Sequence, residues 1–152
     1  MKIFYSDKPL ELNPSNHSVF LAGPTPRSIN VPSWRPHAID ALNHMGYGGQ
    51  VIVPERYVKS NHIDYDEQAE WEHLGLENCS SIVFWIPRDL DTMPAFTTNI
   101  EFGRYCKDSR VFYGRPDNAP KNRYLDWLYK KYQPHKKIYN NLGEVLQASI
   151  CL

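Results

Sequence analysis

Four short apolar runs set the limits on this chain. They are Ser18–Ala22, Gln50–Val53, Ile82–Ile86 and Val111–Tyr113. Gly23-Pro24, Pro54 and Gly114 halt three of them. Runs this short, rich in Val, Ile and Phe and bounded by Gly or Pro, read as buried strands. Helical spacing fills the gaps between them. Trp34, Ala38, Ala41, Leu42 and Met45 make one apolar face, with Ser33 as its cap and Gly46 as its stop. Asp64 opens a second, acidic helix that runs to about Cys79, with Glu67 in capping-box spacing. A third helix starts near Thr98 and packs Phe102, Tyr105 and Cys106 inward. Asn122–Tyr132 and Asn141–Ile150 supply two more, the last with Asn141 and Glu144 in capping spacing. Lys2–Tyr5 is expected as a short edge strand and Lys137–Tyr139 as a short last strand.

Strands alternating with helices require a parallel sheet covered on both faces. The expected fold is a flavodoxin-like three-layer α/β sandwich. Its five-stranded parallel sheet has the order 2-1-3-4-5, and residues 1–152 form a single domain. In that order strands 1 and 3 flank the crevice where the winding reverses, and open α/β sheets hold ligands there.

Charge and composition exclude several classes. Lys+Arg and Asp+Glu number 17 each, so no net charge favours a nucleic-acid polymer or a membrane surface. No apolar run approaches the ~20 residues of a membrane helix. The opening MKIFYSDKPLELN does not read as a signal peptide. Three cysteines without a CxxC pair fit reduced thiols and a cytoplasmic location. There is no GxGxxG, no GxxxxGK[ST] and no GxSxG. The six histidines make neither HxH nor HExxH, so no metal site is expected.

Two features distant in sequence converge on the crevice. Gly23 ends the first strand and lets a ligand approach the backbone. Glu101 follows the third strand and has two readings. Thr98-Asn99-Ile100-Glu101 is a capping-box pattern, which makes the carboxylate structural. Alternatively, Glu101 faces the crevice, where the helix dipole lowers its pKa and keeps it anionic, as a nucleophile requires. Arg27 is either a phosphate ligand or a solvated loop arginine. Within Glu70-Trp71-Glu72 the acids either form a solvated face or reach the pocket, with Trp71 stacking a base. Asp89 and Asp91 are turn acids near the crevice mouth. Trp34 and Arg35 are expected to serve packing and capping.

Several stretches resemble the nucleoside 2-deoxyribosyltransferase-like family. They are VFLAGP at Val19–Pro24, SWRP at Ser33–Pro36, Glu70-Trp71-Glu72, IVFWIPRD at Ile82–Asp89 and TTNIEFGRY at Thr97–Tyr105. The resemblance spans roughly Val19 to Pro116. It implies chemistry at the N-glycosidic bond of 2′-deoxynucleosides or their 5′-monophosphates, as base exchange or hydrolysis. It also implies no cofactor and a homo-oligomer whose neighbouring subunits complete the site. The family's nucleophilic glutamate maps onto Glu101, and Glu70 or Glu72 is the candidate proton donor to the leaving base. Gly23, Pro24, Arg27, Trp71, Asp89, Thr98 and Asn99 are the candidate substrate contacts. Two positions depart from the family pattern. Phe20 stands where active members carry a tyrosine that orients the nucleophile. Ala95 stands where many carry an aspartate for the sugar 3′-hydroxyl, leaving Asp89, Asp91, Thr98 or Asn99 as substitutes. These departures motivate a competing expectation, a nucleotide-binding or sensing domain that keeps the pocket without the chemistry.

Overall fold

Eleven elements organise the described residues, which are 1–58 and 64–151 of a computed structural model. Residues 59–62 of the polar loop expected over Glu55–His62 lie outside them. The strands are β1 (Lys2–Tyr5), β2 (Ser18–Ala22), β3 (Gln50–Val53), β4 (Ser81–Trp85), β5 (Val111–Gly114) and β6 (Ile138–Tyr139). The helices are α1 (Arg35–His44), α2 (Tyr65–Asn78), α3 (Phe96–Tyr105), α4 (Arg123–Tyr132) and α5 (Leu142–Ile150).

All six strands are parallel, in the order β1-β3-β2-β4-β5-β6. Without β1 this is the flavodoxin-like order 2-1-3-4-5. The sheet has six strands rather than five because Lys2–Tyr5 pairs along β3 and extends that edge.

Every residue of β2, β3, β4 and β5 is buried. That follows from covering a parallel sheet on both faces. Alternate side chains supply two separate cores. Phe20, Ile52, Ile82, Phe84 and Tyr113 pack with Leu76 of α2, Phe102 of α3 and Tyr129 of α4. Val19, Leu21, Val51, Val83 and Phe112 pack with Ala38 and Leu42 of α1 and Val145 and Leu146 of α5.

Local signals fix most helix ends. The Asp64 side chain accepts from the backbone N–H groups of Asp66 and Glu67 at 3.0 and 3.4 Å. Asn141 accepts from the Glu144 N–H at 3.1 Å. In α1 the cap position falls on Trp34, and Ser33 Oγ instead accepts from the Arg35 N–H at 3.2 Å. No helix among the described residues is long and apolar enough to cross a membrane.

Candidate active site

The winding of the sheet reverses between β2 and β4, and the first sharp turn after β2 forms the floor of a crevice. Gly23 has φ +150°, and a Cβ there would lie 2.1 Å from the carbonyl oxygen of Trp85. Only glycine lets β2 leave the sheet against the end of β4.

Arg35, the first residue of α1, holds this turn from behind. Its Nε donates to Leu21 O at 3.0 Å, and Nη2 donates to Gly23 O at 2.7 Å. Nη1 reaches Pro24 O at 3.4 Å, Thr25 Oγ1 at 3.1 Å and Glu55 Oε1 at 2.5 Å. Trp34 Nε1 also donates to Pro24 O, at 3.1 Å. Arg35 is 1% exposed, and Glu55 is its ion-pair partner. Glu55 in turn accepts from Ser33 Oγ at 2.7 Å.

α3 begins at Phe96, two residues before the expected start near Thr98. Its cap position is Ala95, a left-handed residue (φ 63°) with no side-chain cap bond. Thr98 is therefore the third helical residue and Glu101 the sixth. The expected capping box is absent because Glu101 lies beyond the first turn, out of reach of any free N–H. Phe102 and Tyr105 turn into the core, while Glu101 turns toward the crevice.

A cavity of about 420 Å³ opens there. Gly23, Pro24, Thr25 and Arg27 line it from the β2–α1 turn, with Phe20 and Ala22 behind. Arg35 reaches it from α1. Gln68, Glu72 and His73 line it from α2, and Ala95, Thr98 and Glu101 from α3 and its approach. Two carboxyl groups thus share one hollow. The Glu101 carboxyl makes no hydrogen bond or ion pair with the described residues. Burial, and secondarily the charge of Glu72, push it up to about 7 against the opposing pull of Arg35. The expectation that the helix dipole would lower it is overturned, because Glu101 is too far along α3 for the dipole to compensate for burial. Burial also raises Glu72, partly offset by Gln68 Nε2, which donates to Glu72 Oε1 at 2.6 Å, and by Arg35.

Of the other sequence candidates, Gly23, Pro24, Arg27 and Thr98 line this cavity, while Glu70, Trp71, Asp89 and Asn99 are not among its lining residues. Trp71 packs on the core and donates its indole N–H to Lys8 O at 2.9 Å. Glu70 is exposed. Asp89 Oδ1 accepts from the N–H of Asp91 at 3.1 Å and of Thr92 at 2.8 Å, and from Thr92 Oγ1 at 2.9 Å. The bonds from Thr92 and Asp91 hold its carboxyl below the usual range. Asn99 Oδ1 accepts from Arg88 Nη2 at 2.6 Å. That buried guanidinium also bonds Pro94 O and Asn122 Oδ1, clamping the approach to α3.

Arg35 was expected only to pack and cap. Its spacing held the clue, because Arg35, Ala38 and Leu42 share the buried face of α1. A cation on an apolar face must find partners inside. Arg27 behaves differently. Its backbone N–H donates to Thr92 O at 2.9 Å, and its guanidinium lies over the Phe96 ring, 5.4 Å from the centroid. It has no carboxylate partner among the described residues. Among those residues no group of three His, Cys, Asp or Glu is placed to hold a metal ion.

A search of curated proteins finds no match to the chain. The profile of a family described as "Nucleoside 2-deoxyribosyltransferase like" matches residues 16–118, more than half of the chain and the whole stretch from β2 through α3. The chain belongs to the nucleoside 2-deoxyribosyltransferase-like family.

Proposed function

We propose that this protein cleaves the N-glycosidic bond of 2′-deoxynucleosides or their 5′-monophosphates and passes the deoxyribosyl group to a second base or to water. The observation that carries this reading is the Glu101 carboxyl, free of any capping duty and facing one cavity with Glu72 and the Gly23 turn.

The ionised Glu101 oxygen attacks C1′ through an oxocarbenium-like transition state. The C1′–N bond breaks, its electron pair leaves with the base, and Glu72 delivers the proton the base needs. A covalent glycosyl ester on Glu101 remains. The acceptor, a base nitrogen or a water oxygen, then attacks C1′. The ester bond breaks, Glu101 leaves as carboxylate, and the acceptor's proton returns to Glu72. Both half-reactions need one proton shared by the two carboxyls, with Glu101 the ionised partner at the moment of attack. Groups that interact this strongly titrate as a pair, so the proton belongs to both.

Phe20 has no hydroxyl to orient the nucleophile. Thr98 lines the cavity three residues before Glu101, on the same helical face, and is the substitute we assign for the sugar 3′-hydroxyl contact that Ala95 cannot make. Arg27 is the phosphate ligand in this reading, because its charge is uncompensated at the cavity wall. Tyr65, Phe96 and Ile100 line the cavity and are 73%, 68% and 75% exposed. They are the apolar surface a second copy would cover in the expected homo-oligomer.

Phe20 and Ala95 favour the second reading, a nucleotide-binding or sensing domain without turnover. Chromatography separates the two. Incubation with deoxynucleosides and deoxynucleotides, with and without an acceptor base, should release free base. Tight nucleotide binding by calorimetry with no base released over long incubation would replace the enzymatic reading with the second.

A further inference from the structure

The wall of the cavity contains a cation that the reaction described above does not use. Arg35 is the largest of the fully buried side chains. Removing an ion from water costs several kcal/mol even after relaxation. Neutral donors are enough to tie down a turn, so the tie alone does not account for a buried charge. Its five side-chain hydrogen bonds go to the carbonyls of Leu21, Gly23 and Pro24, to Thr25 and to Glu55. Among the described residues Glu55, behind the turn, is the one carboxylate it pairs with.

The charges around the cavity show what the cation is for. The β2–α1 side brings Arg27 and Arg35, with Glu55 behind Arg35. α2 brings Tyr65, Glu72 and His73. α3 brings Glu101, Arg104 and Tyr105, and Arg104 is engaged by Glu77 at 3.0 Å. Arg35 is the cation whose field reaches both Glu72 and Glu101 and favours their charged forms. Without it, two partly buried carboxyls would share the cavity and lose the opposing field that acts on both. Two like groups in that setting cannot readily ionise.

We propose that Arg35 is the positioning residue of this site: its fork fixes the Gly23–Thr25 turn, and its charge lets the Glu72–Glu101 pair carry the negative charge that attack on C1′ requires. The proposal rests on the enzymatic reading for its purpose, but its physical content concerns two carboxyls and one guanidinium in the free protein.

The test is a carbon-detected NMR titration of the glutamate carboxyls in the unliganded full chain, with Arg35→Lys, Arg35→Gln and Glu55→Gln. Arg35→Lys keeps a charge and is expected to leave Glu101 near its wild-type titration. Arg35→Gln keeps donors but loses the charge, and is expected to move the Glu101 midpoint from about 7 to above about 8. At a fixed pH that is roughly a tenfold smaller ionised fraction. Glu55→Gln leaves Arg35 unneutralised and is expected to move the midpoint the other way, below about 7. It also keeps the test decisive should Arg35→Gln fail to fold. A Glu101 midpoint unmoved in folded Arg35→Gln, or unmoved or raised in Glu55→Gln, would overturn the proposal. Midpoints that move as expected in a protein that releases no base would support the role of Arg35 and refute the enzymatic reading alone.

Discussion

Glu72 on α2 and Glu101 on α3 face one cavity, and ionisation of the first opposes ionisation of the second. Burial supplies the larger effect on Glu101, and together the two bring its carboxyl to about 7. Below about pH 7 Glu101 keeps its proton beside a second raised carboxyl, Glu72, and in the proposed reaction one proton shared by the two is the state that can both attack C1′ and protonate a leaving base. kcat/KM is expected to be bell-shaped, with its alkaline limb falling through about pH 7. Glu72→Gln should remove that proton supply and lower kcat by about 100-fold or more on bases that need protonation. A rate that climbs through pH 7 and stays high would mean that Glu101 works without a shared proton.

The same carboxyl makes stability depend on pH. Glu101 binds its proton more tightly folded, near 7, than unfolded, near 4.5. The stability from that proton is complete below about pH 4.5 and is lost as pH rises through about 7. The full span amounts to roughly 3 kcal/mol. Glu101→Gln lacks this loss. Urea unfolding at pH 5 and pH 8 should show the variant gaining on the wild type by an amount of that order. An equal difference at the two pH values would contradict the burial of an ionising group here.

Gly23 is expected to tolerate no side chain. In Gly23→Ala the new methyl would meet Trp85 O in a backbone conformation that L residues rarely adopt. Strain and overpacking each cost about 1–3 kcal/mol, so destabilisation of about 3 kcal/mol or more is expected on denaturant unfolding. A loss under 1 kcal/mol would show that the turn can relax away from β4.

Arg27→Ala separates phosphate recognition from catalysis. Loss of a charge-assisted contact should raise KM for a 5′-monophosphate by about 10- to 100-fold and leave the matching nucleoside unchanged. Equal effects on both substrates would return Arg27 to an ordinary loop residue stacked on Phe96.

The architecture was legible because β2 to β5 are compact apolar runs with clear stops. The sixth strand is Lys2–Tyr5, expected at an edge but outside the five-stranded order; it pairs along β3. The site was legible in part. Gly23 and Glu101 could be placed at the crevice from topology, and Glu72 was one of two acids flanking Trp71. Helical phase decides between those acids, and Trp71 takes the core side. The start of α3 was misread because Thr98-Asn99-Ile100-Glu101 imitates a capping box. The helix instead begins from a left-handed Ala95, stabilised by the Arg88 clamp, and neither leaves a local signature. The pKa of Glu101 was unreadable for a related reason: burial and the nearness of Glu72 are properties of three dimensions.

The covalent intermediate is the point on which the chemistry turns, and peptide mass spectrometry after acid quench reads it directly. Wild-type protein incubated with a 2′-deoxynucleoside or its 5′-monophosphate, without acceptor base, should carry a deoxyribosyl ester on the peptide containing Glu101. Glu101→Gln should carry none and release no base. Base release with that peptide unmodified, with the sugar on another carboxylate, or undiminished in Glu101→Gln, would contradict nucleophilic attack by Glu101.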